Sequence, residues 1–387
     1  MKVAVLGAGG TIGPAIVADL GQSEEVSDVL LLDVRRERAE QVASEHGYGK
    51  ARGTAADANA GPGEPGSLAD AIAGCDVLVN SASYRVNVAA MEACLHAGCH
   101  YLDLGGLYWV AAEQFERFAP DGADRFAAEG LLAVLGIGSA PGKTNLMGLR
   151  AERELGDVER MDVSAGGRDL DPPPGFSVPY ALRTLIDELT LNPVVVRGGE
   201  AVEIEPMSDG GAVDFGDPIG EAAAINTLHS EMLTFPDSFG CREASFRLSL
   251  HPELLARLRE LAEAVMNPAT RGREAEHVAG DVIERAAAEA APPSRNTVSV
   301  HLVEASGGGR SVRVRSVTRP VERLGFGGGV TSTAAPAAAT VRLLAREEIT
   351  ERGVHPPERC IEPDPMFAEL EQRGSRFDVQ VTEEAHT

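Results

Sequence analysis

The sequence predicts an α/β protein in two parts. A doubly wound parallel-sheet domain is built from both ends of the chain, residues 1–150 and 331–387, and an α+β domain with a mixed sheet, residues 151–330, is inserted between them. Three observations predict it. The first hundred residues alternate short apolar runs with helix-periodic segments, strand candidates outnumber helices after about residue 157, and a long Ala-rich helical pattern returns at 331–348. Strands alternating with helices pair in parallel through right-handed crossovers, whereas many strands with few helices between them give a mixed sheet. A chain of 387 residues also exceeds what one hydrophobic core organises.

In order, residues 2–6 read as a short apolar strand and 11–20 as a helix by their spacing. Residues 29–33 form a second apolar strand, 35–46 a charged helix and 51–56 a third strand. The Gly- and Pro-rich stretch 61–66 is a surface loop. A helix at 68–73, a strand at 77–80, a helix at 86–97 and a strand at 100–104 follow. One helix spans 111–128, a strand occupies 131–135, and a glycine-containing turn leads to a helix from Thr144. The inserted part has strands at 158–165, 194–197, 202–204, 244–250, 297–304 and 311–318, with a rigid Pro-rich loop at 171–175. Its helix at 252–266 places Leu254, Leu255, Leu258, Leu261 and Val265 on one face. The helix at 331–348 packs back against the first domain, which makes that domain discontinuous.

Residues 7–13 read GAGGTIG, directly after the first strand and opening the first helix, and Asp33 closes the next strand. That context turns a weak GxGxxG into a Rossmann dinucleotide cradle. Gly7 makes the tight turn, Gly9 admits a pyrophosphate to the backbone, and Gly13 lets helix and strand pack closely. The N–H groups of Gly10, Thr11 and Ile12 open the helix toward the phosphates. Asp33 accepts from the adenosine ribose hydroxyls and favours NAD. Arg35 and Arg36 follow it as grips for a 2′-phosphate or as solvated helix-start charges, which leaves NADP open.

A formal net charge of −24 excludes nucleic acid and anionic membranes as partners, because phosphate binding needs concentrated Lys and Arg. No apolar run reaches the ~20 residues of a membrane span. Met1-Lys2 runs straight into a strand with no cleavage-site pattern, so a cytoplasmic location is expected. Five cysteines with no CxxC pair suit reduced thiols, and the scattered histidines offer no metal site. Residues 138–144, GSAPGKT, imitate a P-loop but have three residues between the glycines where four are needed, so a nucleotide triphosphatase is rejected.

Eight segments in order carry a resemblance. They are GAGGTIG, then Asp57 with LADAIAGCDVLVN at 68–80, ACLHAGCHYLDLG at 93–105, and LGIGSAPGKTN at 135–145. Gly166-Gly167, RGGE at 197–200, FGDPIG at 215–220 and GVHPPE at 353–358 complete the set. Together they resemble the saccharopine dehydrogenase-like oxidoreductases, with saccharopine reductase, carboxynorspermidine dehydrogenase and lysine 6-dehydrogenase among the members. The resemblance implies a Rossmann domain formed by both chain ends, an inserted substrate domain, a cleft between them, a homodimer, and hydride transfer between nicotinamide and a carbon bearing nitrogen. It places the cofactor against residues 9–13, Asp33, Asp57 at the adenine, and Ser81, Ala82 and Ser83 along the nicotinamide ribose.

The substrate, an amino acid or amino-acid conjugate, has several candidate ligands. Asp103 ends a strand and reads equally as a partner for an ammonium or as a structural carboxylate; Tyr101 shares its face. Tyr108 lines the pocket or joins the core. Lys143 binds a carboxylate or exchanges a proton, or is an exposed helix-start lysine. Arg85 is placed to clamp a carboxylate, and His229 and Glu231 are further ligands. The family has an apolar residue near Arg85 and a non-basic one at Lys143, and the stretch 168–180 lacks its aromatic–serine element. Two extra cations point to a substrate more negative than lysine. Lysine-like ε-deamination is the first expectation, reductive condensation of an aldehyde with an amino acid the second, and a non-catalytic NAD(P) sensor the third.

Overall fold

The computed structural model describes residues 1–105, 107–175, 177–178, 180–266 and 273–383, with side chains left aside at 265–279 and 281. The first part alternates as expected. It runs β1 (Lys2–Leu6), α1 (Gly13–Gly21), β2 (Asp28–Asp33), α2 (Arg36–His46), β3 (Ala51–Ala55), α3 (Leu68–Ala71), β4 (Val77–Asn80), α4 (Asn87–Ala97) and β5 (His100–Asp103). Next come α5 (Tyr108–Phe118), α6 (Arg125–Ala128), β6 (Leu132–Val134) and α7 (Lys143–Leu155). The single helix expected at 111–128 is two helices, because Pro120 and Gly122, the latter at φ +79°, break it.

The inserted part continues with β7 (Arg160–Asp169), α8 (Leu182–Thr190), β8 (Val194–Arg197), β9 (Glu200–Glu203), β10 (Asp209–Asp214), β11 (Glu221–Asn226), α9 (Glu231–Phe239) and β12 (Glu243–Ser249). It closes with α10 (Pro252–Met266), α11 (Arg273–Glu289), β13 (Thr297–Gly307) and β14 (Arg310–Thr318). The C-terminal segment holds α12 (Gly328–Ala345), β15 (Gly353–His355), α13 (Pro363–Glu371) and β16 (Ser375–Glu383). The expected face on α10 is only partly realised: Leu258 and Leu261 are buried, Leu254 and Leu255 half-buried, and Val265 lies outside the described side chains.

Seven strands form a parallel sheet in the order β15-β6-β5-β4-β1-β2-β3. Its central strands are apolar at successive positions because both faces are covered. Val3, Val5, Val29, Leu31, Val77 and Val79 pack with α1 and the Ala-rich α12. Ala4, Leu6, Leu30, Leu32 and Leu78 pack on the other face with Leu68, Ile72 and Met91. The second sheet has nine strands, in the order β10-β11-β12-β7-β13-β14-β16, with β8 and β9 branching from β12. Only β12 and β7 run parallel in it, so it is mixed. The last strand departs from the expected division: β15 joins the parallel sheet, but β16 pairs antiparallel with β14.

A buried ionic group secures the returning segment. Asp19 of α1 accepts from Arg373 at 2.8 Å and from Arg342 of α12 at 3.2 Å, and Glu369 of α13 accepts from both arginines at 2.7 Å. Arg346 also donates to Glu369 at 2.8 Å, so the two buried carboxylates are matched by several guanidiniums, and removing one member would strand the rest. Among the described residues no helix is long and apolar enough to cross a membrane, no His, Cys, Asp or Glu group is placed to hold a metal, and the five cysteines are free.

Candidate functional site

A cleft of about 2050 Å³ opens at the carboxyl ends of the parallel strands and runs under the mixed sheet. Ligands of open α/β sheets bind on that side. Gly7, Gly9, Gly10, Thr11 and Ile12 line one end, and Gly13 lies behind them in the first turn of α1. Gly7 has φ +74°, and a Cβ there would sit 2.6 Å from the Ala82 backbone, so the turn admits no side chain. At Gly13 a Cβ would meet the Ala8 carbonyl oxygen at 2.6 Å. No side chain caps α1 and no acidic residue stands in its first turn, which leaves its N–H groups for an anion. These residues fit a dinucleotide.

Asp33, Arg35, Asp57, Ser81, Ala82 and Ser83 line the same end. Asp33 also holds the loop: its two carboxylate oxygens accept from the N–H of Gly9 at 3.2 Å and of Arg35 at 2.9 Å. Asp57 is exposed and bonded to the Asn59 N–H, and the Ser81 hydroxyl donates to the Leu6 carbonyl. Arg38 was not among the expected residues. Its stem packs over Gly9, and the spacing Arg35–Arg38 on one helix turn is the signal that would have found it. Among the described residues neither guanidinium has a carboxylate partner, whereas Arg36 is paired with Glu40. Arg38→Ala is therefore expected to raise KM for NADP by about 10- to 100-fold, the worth of one charge-assisted hydrogen bond, and to change KM for NAD by less than about threefold. Initial rates with the two cofactors check this.

Four of the expected catalytic and substrate-binding residues do not line the cleft: Asp103, Tyr108, Lys143 and, behind His229, Glu231. Asp103 is 1% exposed. It accepts from the N–H groups of Gly105 and Gly136 at 2.9 and 2.7 Å and from Gln114 at 2.9 Å, so it knits two loops together. Tyr108 belongs to the core, edge-on to Trp109. Lys143 is fully buried, and its Nζ donates to Ser332 at 2.7 Å and Thr318 at 3.3 Å.

Burial lowers the Lys143 pKa from 10.5 to about 7. Between those values the unfolded chain binds more protons, so this group makes the fold more stable as the pH rises from about 7 toward 10 and imposes its full burial cost below 7. Lys143→Met is expected to abolish that slope, a change of at most about 4 kcal/mol across the window. Urea unfolding at pH 7 and pH 10 measures it.

The other end of the cleft gathers side chains from distant segments. His229 stacks on Phe246 with ring centroids 3.4 Å apart, and its Nδ1 lies 3.5 Å from Glu231. Glu231 is wholly buried behind it and accepts from Thr144 at 2.9 Å. Burial pulls the His229 pKa down, but the Glu231 carboxylate and then the Glu188 charge outweigh it and raise the pKa above the usual 6.5. Glu188, on the cleft wall, accepts from the Tyr180 hydroxyl, and burial raises its own pKa. His301 faces the cleft from β13 and is pushed well below 6.5 by burial and then by Lys143 and His229. Arg85 lines the cleft and is paired with Asp187. Tyr180, Glu188, Phe246 and His301 were missed; the spacing of Leu182, Leu185, Ile186 and Leu189 would have revealed α8, which carries Glu188.

The sequence matches the saccharopine dehydrogenase NADP binding domain over residues 3–126 and the saccharopine dehydrogenase C-terminal domain over 138–375. A carboxyaminopropylagmatine dehydrogenase from Synechocystis sp. is 28% identical over 238 residues, which cover 60% of this chain and 57% of that relative. Among solved structures, the L-Glu-forming saccharopine dehydrogenase of Saccharomyces cerevisiae is similar in fold, with a TM-score of 0.69 at 12% identity over 98% of this chain and 99% of that one. A homospermidine synthase from Legionella pneumophila in complex with NAD gives 0.67 at 12% identity, over 98% and 91%. With matches to both domains covering most of its length, the chain belongs to the saccharopine dehydrogenase family.

Proposed function

We propose that this chain is an NAD(P)-dependent oxidoreductase that joins an aldehyde to a primary amine by reducing the imine between them, with His229 as the proton donor and acceptor. The observation that carries the reading is the His229–Glu231 pair in the cleft wall. Nδ1 turned to Glu231 leaves Nε2 as the nitrogen available to substrate. Phe246 fixes the ring plane, and the Glu231 carboxylate, raising the pKa above the usual 6.5, favours the protonated ring. In condensation His229 gives a proton to the departing hydroxyl of the carbinolamine. In the oxidative direction it takes one from the substrate ammonium, because only an unprotonated nitrogen supports loss of hydride. The nicotinamide, when bound, supplies or accepts that hydride.

The relative's name describes an amine that bears a carboxyaminopropyl group, which supports condensation over the lysine ε-deamination that the sequence favours. The test offers NADPH or NADH with a short amino acid bearing a terminal aldehyde, together with agmatine or glutamate, and separately offers NAD(P) with lysine. Cofactor oxidation that needs both carbon partners is the expected result. Reduction of NAD(P) by lysine alone would restore deamination, and tight NADPH binding with no turnover would make the chain a sensor. A cytoplasmic homodimer remains part of this reading, with the β16 edge of the mixed sheet as the contact; sedimentation velocity tests the assembly.

A further inference from the structure

Where the two domains meet at the cleft, two guanidiniums converge on one carboxylate. Asp187 of α8 accepts from the Tyr84 hydroxyl at 2.6 Å and from Arg85 Nη2 at 3.0 Å, and Arg183 Nε lies 3.8 Å from the same oxygen. Tyr84 and Arg85 stand in the 3₁₀ turn Tyr84–Val86 after β4, whereas Arg183 and Asp187 are one turn apart on α8 of the inserted domain. The cluster therefore spans both walls of the cleft. Tyr84 is neutral, its pKa pushed up to about 12 by burial and then by Asp187, so two cations face one anion.

That surplus charge has free donors. Among the described residues Arg85 engages Asp187 through Nη2 alone, and Arg183, whose buried Nε faces Asp187, makes no side-chain hydrogen bond, which leaves the terminal nitrogens of its exposed guanidinium free. The arginine side chains are 52% and 42% exposed, and both residues line the cleft. The proton transfer assigned to His229 and Glu231 uses none of this.

We propose that Arg85 and Arg183 together bind a carboxylate of the substrate, with Asp187 holding the two guanidiniums aligned before it arrives. Planar guanidiniums take carboxylates through paired N–H groups, and a second anion brings the cluster to neutrality. Asp187 adjoins Glu188 on α8, and the Glu188 charge acts on His229, so one helix carries part of the carboxylate subsite and a group that tunes the acid–base residue. The substrate class is then an aldehyde or amine with a carboxylate a few bonds from the reacting carbon. Because each wall contributes one arginine, such a carboxylate also draws the two domains together. The inference deepens the reading of the site as an amine–imine oxidoreductase and rests on it for the substrate.

Calorimetric titration of the NADP-bound full chain with glutarate, an inert carboxylate, tests the subsite without turnover. Wild type is expected to bind it, Arg85→Ala and Arg183→Ala at least tenfold more weakly, and Arg197→Ala, at the exposed end of β8, as wild type does. No binding by wild type, or equal binding by all four proteins, overturns the subsite whatever the enzyme turns over. Loss of glutarate binding in both cleft variants upholds it, even where no aldehyde–amine pair reacts and the reading of the reaction fails. Thermal melts of the variants confirm that they fold.

Discussion

Replacing His229 with Asn is expected to lower kcat for imine reduction by about 10²- to 10⁴-fold, the usual range for loss of a positioned general acid, while the Kd for NADPH moves by less than about threefold. The pH profile separates this role from a packing role. His229 donates only when protonated, so the reductive rate falls as the pH rises through a pKa above 6.5. Glu231 holds that pKa up; Glu231→Gln should move the falling limb to lower pH while part of the rate survives. An unmoved limb in Glu231→Gln, or wild-type kcat in His229→Asn, would remove His229 from the reaction.

The second large effect falls on stability. Asp103→Ala takes the acceptor from two loop N–H groups and from the Gln114 amide, all inside the protein. Donors left buried without an acceptor, around a deleted ion, cost about 3–5 kcal/mol, which denaturant unfolding will register as a shifted midpoint. The folded fraction should retain kcat within about threefold, because the side chain does not reach the cleft. Unchanged stability with lost turnover would instead restore Asp103 as a catalytic group.

The cofactor half of the site was legible in the sequence because it is local. GAGGTIG, the strand before it and Asp33 lie within one βαβ unit, and each residue's task follows from backbone geometry. The substrate half is assembled by topology. Arg85 meets Asp187 only because the inserted domain folds over the strand ends, and His229 comes under the charge of Glu188 only because distant segments of that domain converge. Spacing in one sequence carries no record of such contacts, and residue type alone misdirected two expectations: Asp103 and Lys143 are chemically apt but face inward.

The elements fared likewise. Apolar β1, β2 and β4 announced themselves, but β10 and β11, rich in Gly and Ala, lack the β-branched alternation that marks strands. Helix α9 was hidden by Pro236, which the helix accommodates. In β16 the alternation of Phe377, Val379 and Val381 was present, and the helix returning at α12 drew the whole tail toward the wrong sheet.

The late arrival of β15 and α12 sets an order of events on the ribosome. β6 emerges with its outer edge unpaired, and the apolar face that α1 shares with α12 stays incompletely covered until α12 is made. Every strand of the mixed sheet except β16 is synthesised in between. Pairings between such distant segments fold slowly and leave apolar surface open to aggregation meanwhile. A nascent chain stopped after α7 would display Ile16, Val17 and Leu20 without the alanines that cover them. Although the two sheets are distinct in space, they mature together, and the cofactor cradle at the N-terminus gains its full support only once the C-terminal segment has left the ribosome.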